Sequence, residues 1–290
     1  MKEKIIGFLI KSVYTLYGAL KIIRRTKFSA KRLLPKTKRE SCYILGNGPS
    51  LNTDLNIVLK IPSDDLFAVN HFGLSALYQT LKPKYYIIAD PGFYGGYVLD
   101  ADEQARVDNL LITLKKTTCW PLTFITPFAA QGIFKELLKE NKNINVVGFN
   151  KVNTWKGFKW FDRWVFNNQW AIVSGFNVII SAIHLAIAIG FKKIYLLGVD
   201  HSWHKNTIVG DDNKLYVCDV HFYDENPKLT PILVEEKGKI RSEKYHEQLS
   251  HLKKTFESYH YIQDYARDIN VKILNCTSNS YIDAFERHKL

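Results

Sequence analysis

The stretch Tyr43-Ile44-Leu45-Gly46-Asn47-Gly48-Pro49-Ser50-Leu51 constrains the fold more than any other part of the chain. An apolar run halts at two glycines, and Pro49 and Ser50 then suit the first turn of a helix. The order predicts a β-strand, a tight turn and a helix entry. Gly46 and Gly48 keep side chains away from backbone N–H groups, and a helix start adds partial positive charge. The turn, with Ser50 beside it, is therefore a candidate anion cradle. Asn47 offers an amide that both donates and accepts, suited to a ribose or a nucleobase edge. The same residues also fit a tight turn with no ligand.

Further strands end in polar residues. Leu66 to Val69 runs into Asn70, Tyr85 to Ala89 into Asp90, and Lys193 to Val199 into Asp200 and His201. Helical patterns over 101–116 and 128–140 alternate with strands at 122–125 and 144–147. Ser174 and Gly175 open a strongly apolar helix that runs to Ile189 and stops at Gly190, with Ser174 expected at the N-cap. His184 within it reads as a hydrogen-bonded core histidine. This alternation predicts an α/β, Rossmann-like, mostly parallel sheet with helices on both faces. In such a sheet the C-terminal strand ends form the ligand crevice, so Asn47, Asn70 and Asp90 converge there.

Charge separates the two ends of the chain. Residues 1–40 hold twelve lysines and arginines against Glu3 and Glu40, a net +10 of the chain's +12. The remaining 250 residues carry about +2, too little for a surface that tracks nucleic acid. Ile6, Leu9, Val13, Leu16, Leu20 and Ile23 give the arm a helical apolar stripe, interrupted by Lys11 and Lys21. An interrupted stripe followed by a basic run fits a helix lying in the interface of an anionic membrane. It also fits a helix packed on its own domain or on a partner subunit of a homo-oligomer. No small-residue cleavage site follows, so a secretory signal is not expected. The organisation expected is a membrane-associating arm over 1–40 and one catalytic α/β domain over 41–290. The place expected is the cytoplasmic face of the cell membrane.

The four cysteines lie far apart with no C-x-x-C pair, which gives no zinc or redox motif and suits a reducing cytoplasm. Seven aromatic residues between Trp155 and Trp170 read either as a membrane-facing or acceptor-gripping flap or as the core of a small cap. From 201 to 240 the periodicity dissolves, and a long irregular segment after a strand end is a candidate lid. A long polar helix over 241–268 follows. His221 in the lid and His246 and His251 near the start of the polar helix are candidate general bases, a task that suits imidazole near neutral pH. His201, at a strand end, is a further catalytic candidate.

Three blocks carry a family resemblance. They are G-N-G-P-S-L at 46–51 with Asn70 and Asp90 after it, S-G and its apolar helix followed by G-F-K-K-I-Y-L-L-G-V-D at 190–200, and the last helix, strand and Asn279-Ser280 turn. Together they resemble the bacterial CMP-sialic acid-dependent sialyltransferases of lipo-oligosaccharide synthesis, within the superfamily that also holds 6-hydroxymethylpterin pyrophosphokinases. The resemblance implies a GT-A-like fold without a DxD metal motif, an inverting reaction and a lid histidine as base. It places the cytidine monophosphate of the donor on Asn47, Asn70, Asp90, Ser174 and Gly175, with no cofactor or metal required. Three departures stand out: Asp90 replaces an asparagine, Ala171 replaces an acceptor-binding arginine, and His201-Ser202-Trp203 replaces an aromatic pair. A pyrophosphokinase would instead use ATP and a divalent cation, with Asp90 and Asp200 as carboxylate ligands. A non-catalytic nucleotide-binding subunit is the third reading.

Overall fold

Strands that are apolar on both faces need a layer of helices on each side, and the computed structural model has that form. It describes residues 2–97, 99–173, 177–218, 220–223, 229–236 and 238–290. The central sheet contains β1 (Ser41–Leu45), β2 (Leu66–Val69), β3 (Tyr85–Ile87), β4 (Leu122–Pro127), β5 (Ile144–Phe149), β6 (Lys193–Leu197), β7 (Lys272–Asn275) and β8 (Glu286–Arg287). Their spatial order is β8-β7-β6-β1-β2-β3-β4-β5, and every pairing is parallel. From β1 the chain winds outward through β5, then crosses back to lay β6 against the other side of β1. The β1–β6 seam is thus the topological switch point, where ligands bind in open sheets of this kind.

The two-residue side-chain period divides the core into two layers. Ile44, Phe67, Val69, Ile87 and Leu196 face one way, toward the helices α5 (Val178–Ile189) and α6 (Tyr245–Asp268). Leu45, Ala68, Tyr86, Phe124 and Leu197 face the other way, toward α2 (Ala101–Thr117) and α3 (Phe128–Leu138).

The basic arm is built into this body. Helix α1 (Lys2–Arg25) is long and apolar enough to cross a membrane by length and composition. One of its faces is nevertheless docked. Thr15 Oγ1 accepts from the Phe158 N–H at 2.9 Å, Lys21 Nζ donates to Asn153 O at 3.2 Å, and Ile22 enters the core. Gly18 allows the close approach, since a Cβ there would sit 3.2 Å from Thr154 Cγ2. The aromatic segment contains α4 (Lys159–Asn167), which buries Phe161 and Phe166 and leaves Trp160 and Trp164 exposed.

Three local expectations are corrected. The apolar helix begins at Val178 and its N-cap is Asn177, whose Oδ1 accepts from the Ile179 N–H at 2.6 Å; Ser174 and Gly175 lie outside the described residues. The segment 201–240 is not irregular. It holds a small antiparallel sheet of Thr207–Val209, Leu215–Cys218 and Leu229–Pro231, and a hairpin of Leu233–Glu236 with Lys239–Ser242. That hairpin also takes what the helical pattern assigned to the start of α6.

His184 is in the core, but it is not hydrogen-bonded: both ring nitrogens are buried without a partner, while the ring stacks on Tyr265 at 5.9 Å. Burial lowers its pKa to about 3, and that of His201 likewise to about 3. The unfolded chain takes up protons below the ordinary histidine value of about 6.5 that the native state refuses. Stability is therefore full above that pH and falls as pH drops from about 6.5 toward 3. Denaturant midpoints measured between pH 7.5 and 4.5 will fall with acidification, and His184→Phe, which supplies an apolar ring of similar shape, will flatten the slope by about one proton.

Candidate active site

Two strand ends meet at the centre of the sheet. The Gly46 N–H donates to Leu197 O and the Gly48 N–H to Gly198 O, both at 2.8 Å. A Cβ on Gly46 would lie 2.4 Å from Gly198 O, and one on Gly48 would lie 1.8 Å from Asp200 Oδ2. The glycines thus permit the seam to close, which corrects the expected anion cradle: the N–H groups that would face a phosphate are spent on neighbouring carbonyls. Ser50 is spent too. Its N–H and hydroxyl donate to Asp200 Oδ1 and Oδ2 at 3.2 and 2.7 Å, and it is buried behind the turn. Asp200 fills the place an external anion would take at this short helix. Burial raises its pKa, against the pull of the two Ser50 donors.

Immediately outside the seam lies a cavity of about 620 Å³ at the C-terminal strand ends, a volume suited to a small-molecule ligand. Gly46, Asn47, Gly48, Asn70, Asp90, Asp200, His201 and His221 all line it, so the structure brings these sequence-derived candidates together. Asn47 Nδ2 donates to Val69 O at 3.2 Å, which fixes the amide and leaves Oδ1 buried with no partner. Asn70 Oδ1 is in the same condition, on a residue with φ +47°. Asp90 Oδ1 accepts from the Gly92 N–H at 2.8 Å and from Tyr97 Oη at 2.7 Å.

Strand-end residues that the sequence reading passed over complete the wall. Asn153 Oδ1 is a third amide oxygen buried without a partner. Lys151 is the one lysine or arginine lining the cavity among the described residues. Its Nζ donates to Ala89 O at 2.5 Å, and burial lowers its pKa while the nearby Asp90 opposes the shift. The signal was available, because both residues follow the tip of β5 as Asn70 follows β2. Asn177 joins them from the start of α5.

His201 is neutral, and its tautomer follows from its partners. Asn177 Oδ1 is committed to Ile179, so the Asn177 amide nitrogen donates to His201 Nε2 at 2.8 Å, which leaves the ring proton on Nδ1. Tyr259 Oη is bonded to the same Nε2, and Trp203 stacks on the ring at 4.3 Å.

Of the three candidate bases, the cavity takes one. The Phe222 N–H donates to Asn47 O at 3.0 Å, Asn52 Nδ2 donates to Phe222 O at 2.8 Å, and Phe222 is buried near Phe72. These contacts pin the lid backbone to the glycine turn and hold His221 at the cavity wall. Glu103 lies close by. Burial pushes its pKa up, but the His71 hydrogen bond and the charges of His71, Arg106 and His221 outweigh it and hold the carboxyl below its usual range. His246 and His251 do not line the cavity: His246 is exposed on the first turn of α6, and His251 Nδ1 pairs with buried Glu243 at 2.7 Å.

A family model described as 6-hydroxymethylpterin diphosphokinase MptE-like matches residues 15–206, a span that runs from α1 through β6 and includes most of the cavity wall. The chain belongs to the MptE-like family. This establishes the wider superfamily expected from the motifs and makes the protein a transferase-type enzyme with a Rossmann-like α/β fold. No curated protein matches the chain.

A diphosphokinase needs a divalent cation on free carboxylate oxygens. In the MptE-like chain Asp200 gives both oxygens to Ser50, and Asp90 gives Oδ1 to Gly92 and Tyr97. No cluster of three or more metal-ligating side chains occurs among the described residues. Among the described residues the carboxylates that line the cavity leave Asp90 Oδ2 uncommitted and no second free oxygen, fewer than a resident divalent ion takes from protein.

Proposed function

We propose that this MptE-like chain is an inverting glycosyltransferase that takes a CMP-activated sugar, of the sialic, other nonulosonic or Kdo type, and modifies a surface glycan. The observation that supports this reading best is the convergence of Asn47, Asn70, Asn153 and Lys151 on one cavity. Amide side chains, which both donate and accept, suit a ligand rich in O–H and N–H groups, as the ribose and the cytosine amine are. Lys151 supplies the positive charge for the nucleotide phosphate, and the protonated Nδ1 of His201 supplies a further donor.

In this reaction the acceptor oxygen bonds to the anomeric carbon as the bond to phosphate breaks, and CMP leaves with the electron pair. His221 takes the acceptor proton, with the Glu103 carboxylate nearby favouring the imidazolium that forms. A well-placed donor at the departing phosphate is worth about 3 to 4 kcal/mol, and a general base about 100- to 10,000-fold in rate.

The family description favours a second reading, ATP-dependent diphosphate transfer to a pterin alcohol. Thermal melts with CMP, CTP and ATP plus Mg²⁺ separate the two, because ligand at 100 times its dissociation constant stabilises by about 2.7 kcal/mol. A shift with CMP that needs no metal is the expected result. A shift with ATP alone, and only when Mg²⁺ is present, would replace the proposal with the kinase. CMP release from a panel of CMP-activated sugars then identifies the donor. His221→Ala will lower turnover at least about 100-fold with CMP affinity intact, and unchanged turnover removes His221 from the mechanism.

A further inference from the structure

A chain of ring contacts runs beside α1 from one end to the other. Phe8 meets Phe158 at 5.3 Å, Phe158 meets Trp160 at 6.4 Å, and Trp160 meets Phe161 at 5.9 Å. Phe161 meets Trp164 at 6.2 Å, Trp164 meets Trp170 at 4.7 Å, and Trp170 meets Phe28 at 5.1 Å. Four members of this row are open to solvent: Phe8 at 60%, Phe28 at 52%, Trp160 at 66% and Trp164 at 50%. On α1 itself, Leu9, Val13, Leu16, Leu20 and Ile23 recur three and four residues apart, opposite the docked face, and each is 46–69% exposed. Nine large apolar side chains on and beside one helix are thus at least 46% exposed, and exposed apolar surface of this kind marks an interaction site.

Its margin is cationic. Arg24, Arg25, Lys31 and Arg32 are exposed where α1 ends, and none has a carboxylate within ion-pair distance among the described residues. An apolar strip with tryptophans and a basic border matches an anionic bilayer surface, whose acyl region takes the strip and whose headgroups take the cations. A second protein copy would bring the same positive charge to the same place.

We infer that this face is a monotopic membrane-docking surface for anionic lipid, with α1 lying in the plane of the bilayer and Trp160 and Trp164 of α4 as a second line of anchors. At about 36 Å, a helix of this length could span the hydrocarbon. Crossing would strip the Thr15–Phe158 and Lys21–Asn153 bonds and expose the Gly18 contact, whereas lying flat keeps all three. None of the exposed apolar side chains of this strip lines the cavity, so the surface can be tested apart from the reaction chemistry.

The test is co-sedimentation of the full chain with vesicles of phosphatidylcholine alone and with about one-third phosphatidylglycerol. The protein will pellet with the anionic vesicles, bind at least tenfold more weakly to the neutral ones, and be released by alkaline carbonate. Trp160→Ser with Trp164→Ser will weaken binding at least tenfold with the melting temperature unchanged. Leu9→Glu with Val13→Glu will abolish binding. Resistance to carbonate would overturn the in-plane orientation, and full binding by the tryptophan variant would overturn the second anchor line. Absence of binding to either vesicle, with a dimer in solution that the Leu9 and Val13 changes dissociate, would assign the face to a second copy and overturn the inference.

Discussion

The carboxylate of Asp200 ties the end of β6 to the turn that leaves β1, and the geometry of the cavity depends on that tie. Burying a carboxylate is costly unless hydrogen-bond donors meet it. Ser50 provides two, one from its backbone and one from its hydroxyl. The bond is possible only because Gly46 and Gly48 bring the two strand ends together, where any side chain would collide with Gly198 or with Asp200 itself. Once the seam is closed, the neighbouring strand tips fall into register around one opening. Asn47, Asn70, Asp90 and Lys151 then face the same space although they come from four different strand ends.

The wall this produces is unusual in its balance of donors and acceptors. Three amide oxygens lack partners, while the carboxylates are already engaged by Ser50, Gly92 and Tyr97. Unpaired acceptors in a buried setting are a standing cost of folding. The lid contributes in the same economical way: hydrogen bonds from Phe222 and Asn52 hold the backbone beside His221 against the glycine turn, so the histidine does not rely on a flexible loop for its position.

Much of this was legible in the residues, for reasons that can be stated. Alternating apolar runs that end in Asn70, Asp90 and Asp200 gave the sheet and its crevice, because the side-chain period and strand polarity are local properties. The glycine turn was also visible, but its role was misread. Whether Gly46 and Gly48 present N–H groups to a ligand or to Leu197 and Gly198 depends on β6 lying beside β1, a contact about 150 residues apart in sequence. Ser50 was misassigned for the same reason, since Asp200 arrives across that distance. Lys151 and Asn153 were missed because the strand-end rule was not applied to β5, and the helix cap moved to Asn177 because polar residues near an apolar run compete for that place. The small sheets within 201–240 escaped notice because short, half-exposed strands carry little periodicity.

Titration calorimetry of CMP and of cytidine tests the central claim, that the strand-tip amides and Lys151 surround one nucleotide. Wild-type protein is compared with Asn153→Leu, which leaves the Asp200–Ser50 tie intact, and with Lys151→Met. The account predicts that Asn153→Leu weakens both ligands by about tenfold, and that Lys151→Met weakens CMP by a similar factor with cytidine unchanged. CMP affinity identical in all three proteins, or no CMP binding by the wild type, would contradict it.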